Sequence, residues 1–159
     1  MRLIRPLRLM LLTSMLGLLG SPSAADRLHD EAAIRGQIAE YFAAIADRDI
    51  GAMEALWVNA PNVTMLTPRH KLMALGWPAI RKSFVGGVFS FWNAFRAAPR
   101  DDLIVLVNER YSTAMFNVDA VGENSDRKSV PYTIRNVQTF ERRDGQWLLI
   151  SSFATGAPE

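Results

Sequence analysis

The 159-residue chain has no cysteine and only two histidines. Without cysteine there are no disulfides, thiolate metal ligands, cysteine nucleophiles or lipoprotein anchors. His29 and His70 stand far apart in the chain, so no metal site is expected. No cofactor is expected either, because the chain carries no glycine-rich phosphate loop and no nucleophile elbow. An excess of one charge is also lacking: 18 basic residues face 16 acidic ones. No stripe of Lys and Arg interleaved with aromatics runs along the chain, so nucleic acid is not an expected partner. Nor is there an apolar run of the roughly 20 residues that a membrane span requires.

What is present at the start reads as a secretory signal. Arg2, Arg5 and Arg8 precede an apolar stretch over residues 9–20, followed by Ser21, Pro22, Ser23, Ala24 and Ala25. A positive start, a short apolar centre and small residues at a cleavage site are the three zones of such a signal. Cleavage is expected after Ala24 or Ala25, dividing the chain into a signal peptide (1–25) and a working domain (26–159). The protein is then expected to be exported, periplasmic or secreted, with no stable membrane span after cleavage. Three of the eighteen basic residues leave with the signal, so fifteen face sixteen acidic ones and the net charge becomes −1. The basic balance of the whole chain therefore says nothing about partners.

The working domain changes character half-way. Ile34, Ile38, Tyr41, Phe42 and Ile45 recur at helical spacing. Asp49 reads as the N-cap of a second, short helix through Met53, Leu56 and Trp57. Residues 63–66 read as a short strand, 67–76 as a loop, and Pro78 suits the first turn of a third helix through Ile80, Phe84 and Val88. The stretch 89–97 fits either a further strand or the tail of that helix. Residues 103–107, 111–120, 130–142 and 146–154 are rich in β-branched and aromatic residues and read as strands, with turns at 108–110, 122–128 and 143–145. Helices first and an antiparallel meander afterwards predict an α+β fold with the helices on one face of the sheet.

Three stretches carry a family resemblance. Ala39 to Asp49 and on to Trp57 form a helix, an Asp-containing junction and a second helix ending in an aromatic residue. Gly76-Trp77-Pro78-Ala79-Ile80-Arg81 resembles the start of the family's third helix. Arg142-Arg143-Asp144-Gly145-Gln146-Trp147 leads into the last strand and on to Thr155-Gly156-Ala157-Pro158. In this order they resemble the SnoaL-like domains of the nuclear transport factor 2-like superfamily. They are also similar to the ketosteroid isomerases and to the association domain of calcium/calmodulin-dependent kinase II. The resemblance implies a curved sheet wrapped around the long first helix as a cone, with an apolar pocket at the open end. It also implies an outer sheet face used for dimers, so a homodimer is expected. Because one fold serves many activities, it does not give the function.

The resemblance puts Tyr41 at the isomerases' phenol position, a place that a core tyrosine with its hydroxyl at the pocket rim would also fill. It puts Thr67 and Val137 at the two carboxyl positions, where neither residue can do the work of a carboxyl group, so isomerase chemistry of that kind is not expected. Ser151 and Phe153 fall where relatives carry histidines inside the cone. Arg135 shares the strand parity of Val137 and Thr139 and is expected to face the pocket, as a bidentate anchor for an anionic ligand or in an ion pair with Asp119 or Glu141, with simple exposure the alternative if that parity is wrong. His70 is placed at the cone mouth or simply in a loop. The alternation along 113–120 puts Ala114, Phe116, Val118 and Ala120 on the buried face.

The expected function is binding of a small, mostly apolar ligand with one polar handle. The candidate ligand-binding residues are Tyr41, Trp57, His70, Tyr132, Arg135, Ser151 and Phe153, with Tyr132 the weakest because its parity is opposite to that of Arg135. Tyr41 and His70 are the catalytic candidates for the alternative, a lyase, isomerase or hydrolase. A structural dimerisation or docking domain is the third reading.

Overall fold

The computed structural model describes residues 23–156 apart from 69–72, 92, 124, 125 and 127, so most of the expected signal and His70 lie outside the described residues. Helix α1 (Ala24–Asp47) starts with a reciprocal cap: the Asp26 backbone N–H donates to the Ser23 hydroxyl at 3.1 Å, and the Ser23 N–H donates to the Asp26 carboxylate at 3.0 Å. Pairing two otherwise orphaned donors in this way stabilises a helix N-terminus. The stripe Asp30, Ile34, Ile38, Tyr41, Phe42, Ala44 and Ile45 is buried, and the helix stops at Arg48, which takes a left-handed conformation. Helix α2 (Ile50–Ala55) is capped by Asp49, whose side chain accepts from the Ala52 N–H at 2.9 Å.

Strands β1 (Thr64–Leu66) and β2 (Ala74–Leu75) follow, then α3 (Trp77–Ser83), which runs through a π-helical turn at Phe84–Val88 into the short α4 (Phe89–Phe91). Gly76 permits the turn into α3. Its φ is +79°, and a Cβ there would meet the Pro61 carbonyl oxygen at 3.3 Å, so a side chain would be both strained and crowded. The rest is sheet: β3 (Ala94–Pro99), β4 (Ile104–Val107), β5 (Tyr111–Glu123), β6 (Ser129–Arg143) and β7 (Gln146–Gly156). The stretch 89–97 is thus both of its expected alternatives in succession, helix tail and then strand.

The strands form one sheet in the order β2-β1-β7-β6-β5-β3, with β4 pairing the other half of the β5 edge. β5, β6 and β7 are an antiparallel meander, whereas β1 joins β7 in parallel. Asp144 and Gly145 both have positive φ, which is the two-residue turn that matches the twist of a hairpin. The other edge of β7 is covered first by Leu56 to Val58, hydrogen-bonded to Leu149, and then by β1. Covering an edge in this way removes a template for aggregation. The curved sheet wraps α1, and the core lies between them. No described helix is long and apolar enough to cross a membrane.

Residues 23–29 are all exposed, so α1 first meets the core at Asp30. Its carboxylate accepts from the Trp147 indole N–H at 3.2 Å and pairs with the Arg142 guanidinium, which lies 5.1 Å over the Trp147 ring. One buried carboxylate thereby ties α1 to the β6–β7 hairpin. Asp30→Ala leaves the indole N–H and the guanidinium without their acceptor. It is expected to cost about 2 kcal/mol, less than the roughly 3–5 kcal/mol of a fully buried pair because Arg142 is partly exposed. Urea unfolding should show a lower midpoint at unchanged slope.

Candidate functional site

At the wide end of the cone, α1 and the concave sheet face enclose a mostly apolar cavity of about 340 Å³. Helix α1 contributes Tyr41, Phe42 and Ile45; the rim contributes Thr67, Pro68, Val88 and Phe91. From the sheet come Phe95 on β3, Val130, Tyr132, Ile134 and Asn136 on β6, and Ala154 on β7. Phe95 and Tyr132 hold each other at 6.4 Å between ring centres, and Tyr41 meets Phe42 and Phe84 edge-on. These aromatic contacts fix the walls in place.

The polar part of the wall is neutral. Tyr41 is 5 % exposed, and burial pushes its phenol up to about 12. The nearby Ser152 hydroxyl pulls it the other way but stops short of hydrogen-bonding geometry. At neutral pH Tyr41 is therefore a hydrogen-bond donor and not a base. Asn136 is buried, and its Nδ2 has no hydrogen-bond partner. Among the described residues no carboxylate, histidine, lysine or arginine lines the cavity. No group of three or more potential metal ligands occurs among them either. A charged ligand would lose its hydration here without gaining a counter-ion, a large cost.

Tyr41 and Tyr132 are the two residues of the expected set that the fold brings to the cavity. The others are elsewhere or not described. Arg135 is exposed on the outer face, paired in register with Asn117 and Thr155, and has no salt-bridge partner among the described residues. The partners once open to it are taken: Asp119 pairs with Arg100 at 2.5 Å, and Glu141 with Arg110 and Arg143. Ser151 and Phe153 also point outward; Ser151 accepts a hydrogen bond from the Thr64 hydroxyl at 3.1 Å. Trp57 is core, 6.3 Å from the Trp77 ring and not in the cavity wall. His70 lies outside the described residues.

Two causes account for these corrections. On β6 the inward residues are Ile134, Asn136, Gln138 and Phe140, so Val137 also faces out; a count one residue off exchanges the two faces of a strand. On β7, Leu149 pairs with Phe140 but Ser151 pairs with Thr139, leaving Ile150 as a bulge. The inward series therefore jumps from Trp147 and Leu149 to Ser152 and Ala154. The parity of β6 was available in the sequence: Ile134 and Phe140 share it with Asn136 and Gln138, while the charged residues Arg135, Glu141 and Arg143 share the other. The alternation expected on β5 is observed, with Ala114, Phe116, Val118 and Ala120 buried. Where a second carboxyl would be needed, the inward groups are amides.

The profile of the SnoaL-like domain family matches residues 34–154. The chain belongs to this family. No curated protein sequence matches significantly. Among solved structures, this SnoaL-like domain is similar to a nuclear transport factor 2-like protein from Salmonella enterica serovar Typhimurium, with TM-score 0.74 and 17% identity over 86% of this chain and 95% of that one. It is also similar to a hexachlorocyclohexane dehydrochlorinase from Novosphingobium barchaimii, with TM-score 0.75 and 18% identity over 86% and 92%. A protein assigned as a scytalone dehydratase in Novosphingobium aromaticivorans gives TM-score 0.73 and 17% identity over 83% and 87%. At these identities the likeness is one of fold.

Tyr41 offers a direct test of the cavity's dryness. Of the three tyrosines, one should titrate near pH 12 in an ultraviolet titration, and that step should vanish in Tyr41→Phe. Because the folded-state value is raised, the stabilisation from the neutral phenol is present below about pH 10, the ordinary tyrosine value, and is lost as pH climbs towards 12. Alkaline unfolding of Tyr41→Phe should lack that component.

Proposed function

We propose that this domain takes up a small, uncharged, mostly apolar molecule bearing a carbonyl or hydroxyl oxygen, and that it works after export. The observation that carries the reading is an apolar cavity whose polar wall offers two neutral donors, the Tyr41 hydroxyl and the unpartnered Asn136 Nδ2. An acceptor oxygen between them would satisfy a buried amide that otherwise costs stability. The volume lies at the small end of ligand sites, which span about 300–1,000 Å³, so the ligand has the size of one or two rings. Hexachlorocyclohexane, named for one similar structure, is likewise compact and apolar. Export rests on the N-terminal sequence, and cleavage after Ala25 would remove only exposed residues from the described domain.

The names of similar structures, a dehydrochlorinase and a protein assigned as a dehydratase, favour one further reading, in which the same pocket converts its ligand by elimination. Elimination needs a base, and none lines the cavity among the described residues; the sequence offers His70 for that role.

The deciding experiment is native mass spectrometry of the protein purified from its host's extracytoplasmic fraction, with denaturing release of any bound compound. A retained neutral molecule is expected. Its affinity should fall about five- to tenfold in Tyr41→Phe and in Asn136→Leu, as loss of one hydrogen bond implies. Turnover abolished by His70→Ala would favour conversion. A clean apo protein, unshifted in melting temperature by a panel of neutral ring compounds, would refute the pocket reading.

The outer face supports a second proposal, a homodimer. Ile104, Met115, Val137, Phe153 and Leu66 pair in register across β4, β5, β6, β7 and β1. They form an apolar row on the solvent side, with Ile104, Met115 and Val137 exposed. Contiguous exposed apolar surface of this kind marks an interaction site. Light scattering should report a dimer that Val137→Lys converts to a folded monomer; a wild-type monomer at tens of micromolar would sink the idea.

A further inference from the structure

The strand register shows a polar layer beneath the cavity wall. Asn136 and Ala154 are cross-strand partners and both line the cavity. The next inward-facing pair, two residues deeper along β6 and β7, is Gln138 with Ser152, about 7 Å further into the cone. Gln138 is 0 % exposed and Ser152 1 %. Neither atom of the Gln138 amide has a hydrogen-bond partner, and neither does the Ser152 hydroxyl. Behind Gln138 on β5 stands Ala114, which offers no side-chain polarity. Beside Ser152 is the Tyr41 phenol, itself part of the cavity wall. An amide left wholly unpaired in a core destabilises the fold by the full cost of desolvating it, and an apolar residue of the same shape would be better tolerated.

We propose that Gln138 and Ser152, which lie one layer beneath the lining residues and not among them, form a head-group subsite that a ligand reaches by deepening the cavity between Asn136 and Ala154, specific for a neutral group that both accepts and donates, such as a carboxamide, a lactam or a hydroxy-carbonyl. This rests on the pocket reading above and narrows it. The Gln138 side chain presents an acceptor, Oε1, and a donor, Nε2, in one plane. Its complement is a group carrying a donor and an acceptor side by side. Asn136 Nδ2, one layer up, adds a second donor to the acceptor side of such a group. A simple ketone would satisfy the donors and leave Oε1 unpaired. A carboxylate would bring a charge past a cavity wall that holds no cation among the described residues.

The test uses three probes with the same apolar body: naphthalene carboxamide, naphthyl methyl ketone and naphthoate, titrated calorimetrically into the wild type, Gln138→Met and Ser152→Ala. The carboxamide is expected to bind roughly tenfold tighter than the ketone, and naphthoate weakest. Gln138→Met should erase the preference while leaving the melting temperature unchanged or higher. Ser152→Ala, which removes one atom and keeps the core filled, should weaken the preference and carries the test if Gln138→Met folds poorly. Equal binding of carboxamide and ketone to the wild type overturns the subsite and leaves the cavity reading standing. So does a preference that survives both substitutions. If Gln138→Met melts lower with its preference intact, the amide is structural and the proposal fails. Failure of all three probes to bind refutes the cavity reading, and the subsite with it.

Discussion

The bulge at Ile150 governs what the cone can hold. Up to Leu149, strand β7 packs large apolar side chains against α1 and the β6–β7 hairpin, closing the narrow end around Trp147 and the buried Asp30 carboxylate. One extra residue then exchanges the faces of the strand, and the inward positions become Ser152 and Ala154. A bulge bends and twists the strand that carries it, and here it coincides with a change from bulky to small residues. Continued without the bulge, the odd-numbered series would have turned Phe153 inward opposite Asn136. The open volume beside Tyr41 and Asn136 exists because Ala154 stands at that level instead.

The same stretch holds the least favourable side chains in the core. Asn136 Nδ2, both amide atoms of Gln138 and the Ser152 hydroxyl are buried without partners, on neighbouring positions of two strands. Other buried polar groups are paired, among them Asp30 with Arg142 and Trp147, Glu141 with Arg110 and Arg143, and the Ser112 hydroxyl with the Leu106 carbonyl, whereas Gln37 Oε1 and Trp57 Nε1 also lack a partner. The two arginines hold the Glu141 carboxyl below its usual range. Four of the six buried side-chain atoms without a partner among the described residues thus gather beside the cavity, and that concentration fits a partner that the folded chain does not supply.

Much of this was legible from residue order alone. The spacing of Ile34, Ile38, Tyr41, Phe42 and Ile45 identified α1 and its buried face, and the β-branched stretches after residue 103 gave the meander nearly residue for residue. Asp49 was readable as a cap, and Asp144-Gly145 as a turn, because each has a local chemical cause. The site was less legible for two reasons. Facing along β6 depends on the period-two phase, and a phase taken from the family resemblance placed Arg135 and Val137 inside. The apolar anchors Ile134 and Phe140, read as a pair, give the phase that the structure shows. Facing along β7 depends on a bulge that only pairing with β6 reveals, so Ser151 and Phe153 could not be corrected from their own strand. β2 is two residues long and exists by pairing with β1, and no local pattern announces it.

Likeness of fold to a dehydrochlorinase does not bring its chemistry along, and the cavity shows why the two questions separate. Removing a proton requires a group that is basic at working pH. The described wall offers a phenol raised to about 12, a second tyrosine, a threonine and an amide. Each of these can hold an oxygen in place; none is a base at neutral pH. On the proposed reading the fold supplies orientation: a neutral molecule would be held by one end, with its apolar body against Phe42, Phe91 and Phe95. A base added beside a molecule so held would have less of the barrier to overcome, because positioning removes part of it. The proposed binding is what the described wall can account for, and a base for turnover is not among the described residues that line it.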